Sequence, residues 1–513
     1  MDYLDYVQMT RGQQISYKIK SFFTGIPNAI KTIFLYIGYF FKSVFLFIAN
    51  GFKRYGLRFT QGDGATKASY VIMGIGNMAH RQIMKGVLFL AAEVAYIIFM
   101  ANFGMTYLSK IYSYGVHVDP KNPDFVVDGV VGNVPIEYKK DDFFGASDQI
   151  ANADVADDSN KVLLFFVLTL MVSIAFFAIY IANTKSAFAT METIREGKRP
   201  LSFVDEMKTF LDERYHITLL TLPILLLMIF NILPIIFTIF MAFTNYDKDH
   251  NAFNRLYWWV GFQNFADVFY NNAEKSYTFG KVLLWTLVWA VFATFSNYIL
   301  GIVLALLINK KDIKAKGFWR TMFVITSAVP QFVTLLVMRL ILDDKGIMNA
   351  ILHTNIPFLS ETGWARVSVI VVNMWIGIPY TMLSVSGILM NIPEDLYESA
   401  RIDGANAVQQ FTKITLPYIS FVMTPYLIST FVGNINNFNV IYFLTGGKPG
   451  AVDYHSGAGT TDLLVTWLYT LTVSEADYKL ASVIGIIVFV LCATGSLITF
   501  NMSKATKNEE EFS

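Results

Sequence analysis

Long apolar segments recur along this chain, with more polar segments between them. Eight of the apolar segments come close to the roughly 20 residues that a helix needs to cross the hydrocarbon core of a membrane. We therefore predict about eight transmembrane helices, over residues 83–108, 161–184, 216–243, 279–308, 320–342, 366–390, 418–439 and 478–502. The pattern as a whole predicts an all-α integral membrane protein.

The segment 22–52 is also apolar, but lysines interrupt it at intervals of eleven residues. Eleven residues are close to three helical turns, so Lys20, Lys31, Lys42 and Lys53 share one helix face. We predict a surface helix whose ammonium groups face anionic lipid headgroups. A transmembrane helix is the alternative, although it would place a lysine deep in the bilayer.

Composition agrees with a membrane location. Of the 513 residues, 54% are hydrophobic and 15% are charged, whereas a soluble domain carries about 25% charged residues. The net charge of +1 argues neither for nor against a nucleic-acid partner, but no strongly basic block occurs, so we expect none. The single cysteine, Cys492, cannot form an intrachain disulfide, and we expect no metal site.

Charge differs between the polar segments and predicts their sides of the membrane. Residues 184–214 and 309–320 are rich in Lys and Arg, whereas residues 110–160 contain ten acidic residues and four lysines. Basic segments stay in the cytoplasm by the positive-inside rule, which places both termini inside and makes residues 109–160 an external loop. The N-terminal segment shows no signal-peptide pattern.

These features divide the chain into four regions. We predict a cytoplasmic N-terminal region at 1–80, two accessory transmembrane helices at 81–215, a transmembrane core at 216–502 and a cytoplasmic tail at 503–513.

One polar stretch, residues 391–417, lies between two apolar segments and contains several helix signals. Pro393 suits a first helical turn, and Gly404 suits a helix end because glycine tolerates the left-handed conformation. We predict a second short helix at about 405–413, with Pro417 at the start of the next apolar segment. Two short helices joined at a glycine would form a cytoplasmic knob between two spans.

The spacing inside this stretch is specific. Glu398-Ser-Ala is followed after three residues by Gly404, and after nine more by Ile414, one residue and Leu416-Pro417. This pattern resembles the EAA loop of membrane subunits in ABC importers, with Ser399 in place of the usual alanine. Five further segments resemble the MalF-type permeases of maltose/maltodextrin importers; they are residues 328–330, 373–380, 434–438, 444–449 and 461–464.

The resemblance implies a type I ABC-importer permease core and an energy-coupling role. In such importers the EAA loop docks into a cleft of the cytoplasmic ATPase. The implied contacts are Glu398, Ser399, Ala400, Gly404, Ile414, Leu416 and Pro417.

The resemblance also implies partners and a location. The partners are a MalG-like second permease subunit, a dimer of ATP-binding subunits and an extracellular solute-binding protein, with the chain itself in the plasma membrane of a prokaryote. We expect ATP and Mg at the ATPase and no cofactor on this chain, because the nearest phosphate-loop phrase, Thr445-Gly-Gly-Lys-Pro449, has proline after the lysine.

Three predicted spans carry polar or small residues at helical spacing. Asn373, Gly377 and Tyr380 lie at i, i+4 and i+7 of one span. The other two sets are Ser327 and Gln331, which flank Pro330, and Thr430, Gly433, Asn434 and Asn437. Such stripes either hold helices together or bind a polar ligand, and the residues alone leave both readings open.

The resemblance favours ligand binding, because the matching positions line the sugar site of MalF-type permeases, together with Ile376. Four positions depart from that family: Ser327 replaces tyrosine, Gln331 and Thr430 replace serine, and Gly433 replaces phenylalanine. The predicted site thereby has two aromatic rings fewer than that of MalF-type permeases, which leaves more room for the substrate. We expect an oligosaccharide substrate, related to maltodextrins and longer than maltose.

Two other classes of protein were weighed. An ion-coupled secondary sugar transporter would call for acidic residues in mid-membrane and repeated halves with broken helices. Glu93 is the only acidic residue in the eight predicted spans, and no such repeat is evident. A membrane scaffold or enzyme is the third class, but we find no catalytic constellation and expect no enzymatic activity.

Overall fold

The computed structural model describes residues 45–111, 159–213, 215–248, 257, 259–310 and 313–502, the backbone of three strands between residues 117 and 139, and a few single positions before residue 45. The chain packs as two compact units, one within residues 38–264 and the other from residue 265 onward. The predicted regions 1–80 and 503–513 lie partly or wholly outside the described residues.

The first unit contains seven described helices and three strands. Residues 45–61 form α1. The other helices are α2 (Gly64–Ala68), α3 (Ile75–Ala79), α4 (Ile83–Lys110), α5 (Ser159–Arg195), α6 (Phe203–Leu211) and α7 (Tyr215–Met241). The strands are β1 (His117–Val118), β2 (Phe125–Val131) and β3 (Val134–Lys139).

The strands form an antiparallel sheet in the order β1-β2-β3, within the segment predicted to be an external loop. The all-α prediction holds for the membrane helices, and this small sheet is an addition to it. Residues 125–131 and 134–139 are rich in valine, and apolar and polar residues partly alternate in them. These are sequence signals for strands, but they are weaker than those of the long apolar segments.

Glu93 has a structural partner inside the first unit. Its carboxylate accepts a hydrogen bond of 2.8 Å from the backbone N–H of Met73, a fully buried residue. A buried N–H needs such an acceptor because no water can replace it. Glu93 therefore satisfies the backbone of the segment between α2 and α3.

The second unit contains the remaining helices. These are α8 (Gln263–Ala266), α9 (Ala273–Asn309), α10 (Lys316–Val324), α11 (Gln331–Ile341), α12 (Ile347–Leu352), α13 (Thr362–Met390), α14 (Glu394–Ile402), α15 (Ala407–Ile435), α16 (Phe438–Leu444), α17 (Leu464–Val473) and α18 (Tyr478–Met502).

Seven of the described helices are long and apolar enough to cross a membrane, namely α4, α5, α7, α9, α13, α15 and α18. The prediction of a multi-span helical membrane protein is confirmed, but the continuous span predicted at 320–342 is broken. A 3-10 turn at Ile325–Ala328 and the extended Val329 separate α10 from α11. Pro330 explains the break, because proline has no N–H to donate and disfavours helical geometry at the preceding residue.

The stretch 391–417 differs from its prediction in one respect. As predicted, α14 ends before Gly404, which has the left-handed φ of 79°. The second short helix is not separate, however, because α15 begins at Ala407 and continues to Ile435 through a π-helical turn at Phe411–Thr415. Pro417 follows directly on that π segment, inside the continuous helix, and supplies no N–H to the helix there. The knob is therefore continuous with a membrane span.

Two apolar clusters pack against α9 and α13, the first with α11 and α16 and the second with α15. One surrounds the fully buried Trp289 and includes Ala293 and Val372, and the other includes Ile302, Met382 and Met423. Along α9 and α13, the residues between these clusters are largely polar or small. The fold thus leaves a polar layer between two apolar layers.

Candidate functional site

The polar layer encloses a cavity of about 220 Å³ in the second unit. Its described walls come from α9, α11, α13 and α15, which supply Thr294, Asn297, Tyr298, Gln331, Asn373, Ile376, Gly377, Tyr380, Thr381, Tyr426, Leu427, Thr430 and Asn434. None of these side chains carries a formal charge at neutral pH. The cavity offers amides, hydroxyls and aromatic rings, which is the set of groups that suits a neutral polyhydroxyl ligand.

Seven of the ten residues predicted to bind substrate meet in this cavity. They come from three helices that are separate in sequence, and they are Gln331, Asn373, Ile376, Gly377, Tyr380, Thr430 and Asn434. The break at Pro330 helps to form the site, since Gln331 lies at the first position of α11 beside it. Asn439 donates a hydrogen bond of 3.2 Å to the Gln331 side-chain oxygen.

Three predicted residues are not among the lining side chains. Gly433 is exposed and lies outside the described wall. Asn437 caps α16, since its Oδ1 accepts from the Val440 N–H at 3.3 Å, and its Nδ2 donates to Asn434 Oδ1 at 3.3 Å. Asn437 therefore supports the wall instead of forming it. The Ser327 side chain lies outside the described residues.

The fourth wall of the cavity comes from α9 and is not among the predicted site residues. Thr294, Asn297 and Tyr298 occur at i, i+3 and i+4, the same spacing that marked the other spans. This spacing within segment 279–308 is the sequence signal for the fourth wall. Tyr298 and Tyr426 also bring aromatic rings to the cavity, so the departures at Ser327 and Gly433 do not leave it without aromatic surface.

Two amide side chains have buried atoms without a hydrogen-bond partner among the described residues. They are Asn297 through Oδ1 and Asn373 through Nδ2, and both side chains line the cavity. The residues themselves are only 6% exposed. By contrast, Asn434 is satisfied, because its Nδ2 donates to Thr294 Oγ1 at 2.9 Å. One buried acceptor and one buried donor, on two residues that line the same cavity, thus lack a described partner.

The residues predicted to contact an ATPase lie on the knob. Glu398, Ser399, Gly404 and Pro417 are exposed, while Ala400 and Ile414 are half-buried. Leu416 packs against the apolar cluster that contains Met423. The Tyr397 hydroxyl lies 2.8 Å from Thr415 Oγ1 and so links α14 to α15.

Seven long apolar helices among the described residues, together with a polar, uncharged cavity within the second unit, are the features of a multi-pass membrane permease. Residues 297–507 match the family described as the binding-protein-dependent transport system inner membrane component. The galactooligosaccharides transport system permease protein GanP of Bacillus subtilis (strain 168) is 36% identical over 360 residues, which cover 69% of this chain and 85% of GanP. The maltodextrin transport system permease protein MdxF of the same organism is 33% identical over 454 residues, which cover 86% of this chain and 95% of MdxF.

A solved structure is also similar, that of a bacterial ABC transporter involved in the import of the acidic polysaccharide alginate. Its matching chain has 24% sequence identity and a TM-score of 0.47, and the match covers 58% of this chain and 98% of that chain.

The chain belongs to the family of binding-protein-dependent transport system inner membrane components, the permease subunits of ABC importers. The predicted resemblance to maltodextrin permeases is confirmed, and the MdxF match extends well beyond residues 216–502. The chain is a transport subunit and not an enzyme, as predicted, and separate subunits hydrolyse ATP in such importers.

Proposed function

We propose that this chain carries neutral oligosaccharides into a prokaryotic cell, as the permease subunit of an importer that works by alternating access. The uncharged cavity is the observation that carries the proposal. A buried site for an acidic sugar would need Lys or Arg to compensate the carboxylates, because an unpaired buried charge is costly. The described lining contains no such residue.

The relatives support the same class of substrate. By name, GanP belongs to a transport system for galactooligosaccharides and MdxF to one for maltodextrins, and both kinds of sugar are uncharged. Three tyrosines around the cavity provide aromatic faces for the C–H surfaces of sugar rings.

The coupling role rests on the knob formed by α14 and the start of α15. Glu398 is exposed for a polar contact, and the apolar side chain of Ile402 is 86% exposed, which suits a surface that a partner covers. Since α15 runs without a break to Thr430 and Asn434, a movement of the knob would reach the cavity wall directly.

The proposed assembly contains this chain, a second MalG-like permease subunit, a dimer of ATP-binding subunits and an extracellular solute-binding protein. ATP and Mg bind to the ATPase in this proposal. Both termini face the cytoplasm, the chain spans the plasma membrane, and the segment 22–52 lies on the membrane surface in this proposal.

Competition for uptake tests the proposal. The assembled transporter, reconstituted in vesicles with its binding protein, should transport labelled maltodextrin or galactooligosaccharide when ATP is supplied. Unlabelled neutral oligosaccharides should compete, and uronate oligosaccharides of equal length should not. ATP-independent uptake driven by an ion gradient, or competition by the uronates alone, would overturn it.

A further inference from the structure

The wall contributed by α9 contains an amide that packing does not explain. Asn297 is buried, and its Oδ1 has no hydrogen-bond partner among the described residues. Within a membrane span an amide costs free energy unless it is satisfied, so such residues either join helices or serve a ligand. The Asn297 side chain lines the cavity, and its buried Oδ1 has no described partner on another helix.

Its neighbour Thr294 is a polar residue that joins two helices. Thr294 lies three residues earlier on the same helix and receives a hydrogen bond of 2.9 Å from Asn434 on α15. This pair is a helix–helix contact. Asn297 differs because its unpartnered atom is an acceptor, and Asn373, which lines the same cavity, has an unpartnered donor.

A single hydroxyl group can satisfy both amides. A sugar hydroxyl donates one hydrogen bond and accepts others, so it can donate to Asn297 Oδ1 while it accepts from Asn373 Nδ2. Loss of that hydroxyl would leave two buried polar atoms unpaired, which is how a site rejects an analogue that lacks one group.

Gly377 fixes the position of Asn297. A Cβ atom at residue 377 would overlap the Asn297 carboxamide, so only glycine lets α9 and α13 approach this closely. Gly377 lies one helical turn after Asn373 on α13. The Asn297 amide, which packs at Gly377, therefore lies about one helical turn from Asn373 along α13.

We propose that Asn297 is a specificity-determining residue, which binds one sugar hydroxyl together with Asn373. The inference rests on the proposed transport of neutral oligosaccharides. It adds a substrate contact from α9, the helix that the sequence analysis did not assign to the site.

Uptake of deoxy sugars tests the contact. The reconstituted complex carries Asn297→Ala, and Ser296→Ala serves as the matched control because the Ser296 hydroxyl bonds only the Phe292 carbonyl of its own helix at 2.6 Å. Asn297→Ala should raise the apparent KM for the transported oligosaccharide about 10-fold, the effect of one lost hydrogen bond in a buried site. Subunit assembly should stay intact.

The decisive measurement is a series of monodeoxy oligosaccharides. The original protein should discriminate strongly against the analogue that lacks the bound hydroxyl, and Asn297→Ala should lose that discrimination at this one position. A purely structural role would change the uptake of every analogue equally, and that result would overturn the inference.

A second pair of variants tests the geometry. Gly377→Ala should displace the Asn297 amide and reduce uptake, and Asn297→Ala should partly restore uptake in the Gly377→Ala background because it removes the overlapping group. Additive losses in the double variant would contradict the contact.

The two proposals can fail separately. If Asn373→Ala impairs uptake while Asn297→Ala leaves both KM and deoxy-sugar discrimination unchanged, the site stands and the role of Asn297 is refuted. If the complex does not transport any neutral oligosaccharide, the proposed function itself is refuted.

Discussion

The indole nitrogen of Trp289 donates a hydrogen bond of 3.0 Å to the backbone carbonyl of Asn434. Trp289 is fully buried on α9, and Asn434 lines the cavity near the end of α15. The bond connects the larger apolar cluster to the cavity wall at the point where α15 gives way to α16. Packing of the cluster and the shape of the site are therefore linked.

Trp289→Phe should lower both thermal stability and uptake. The change removes the indole donor and leaves a small cavity, at a cost of about 1–3 kcal/mol in the free energy of unfolding. The thermal unfolding midpoint of the purified protein measures the first effect, and vesicle uptake the second. An unchanged midpoint would show that the indole bond contributes nothing.

The Tyr397–Thr415 contact should stiffen the knob. Tyr397→Phe removes the hydroxyl and is expected to reduce the sugar transported per ATP hydrolysed, because α14 can then move without α15. Thr412→Val is the control, since the Thr412 hydroxyl bonds its own helix at the Val408 carbonyl. Equal transport-to-hydrolysis ratios in both variants would contradict the lever role.

Glu398 should be the critical polar contact with the ATPase. Glu398→Lys reverses an exposed charge on the knob and should abolish sugar-stimulated ATP hydrolysis and uptake, without lowering the thermal stability of the isolated subunit. ATPase and uptake assays of the assembled complex measure this. Normal values for both would exclude Glu398 from docking.

Asp462, which lies outside the candidate membrane spans, should make the stability of the protein depend on pH. Burial raises the pKa of Asp462 to about 6, although the Gly459 N–H and the Thr466 hydroxyl donate to its charged form at 2.8 and 2.7 Å. Between about pH 4 and pH 6 the folded state holds a proton that the unfolded state has released, so stability should fall as pH rises through this window and level off above it.

Asp462→Asn should remove that dependence, which amounts to about 3 kcal/mol across the window. Thermal unfolding at about pH 4.5 and pH 7.5 gives the comparison, with the exposed Asp395→Asn as control. A variant that retains the full pH dependence would show that another group is responsible.

Glu93 should act as a backbone acceptor and not as a proton carrier. Glu93→Gln keeps an acceptor for the Met73 N–H and should transport normally, whereas Glu93→Ala leaves that N–H unpaired and should lose about 1–3 kcal/mol of stability. Uptake with and without a proton gradient separates the two roles. Loss of uptake in the glutamine variant alone would favour ion coupling.

The sequence predicted three walls of the cavity because each carried polar residues at helical spacing, as at Asn373, Gly377 and Tyr380. Asn297 was not predicted because its polar neighbours are few within a long and otherwise largely apolar helix. Pro330 is the sequence signal for the break before α11, but the high hydropathy of 320–342 favoured one continuous span. The capping role of Asn437 depends on where α15 ends, which hydropathy does not determine.

The π-helical turn at Phe411–Thr415 has a consequence for how the knob is aimed. A π turn holds one more residue than an α turn, so it resets the angular phase between the knob and the rest of α15. Deletion of one residue there would restore an α turn and rotate Glu398 by about 100° around the helix axis relative to Asn434. The one extra residue of the π turn thus sets the direction in which a movement of the knob is transmitted to the cavity.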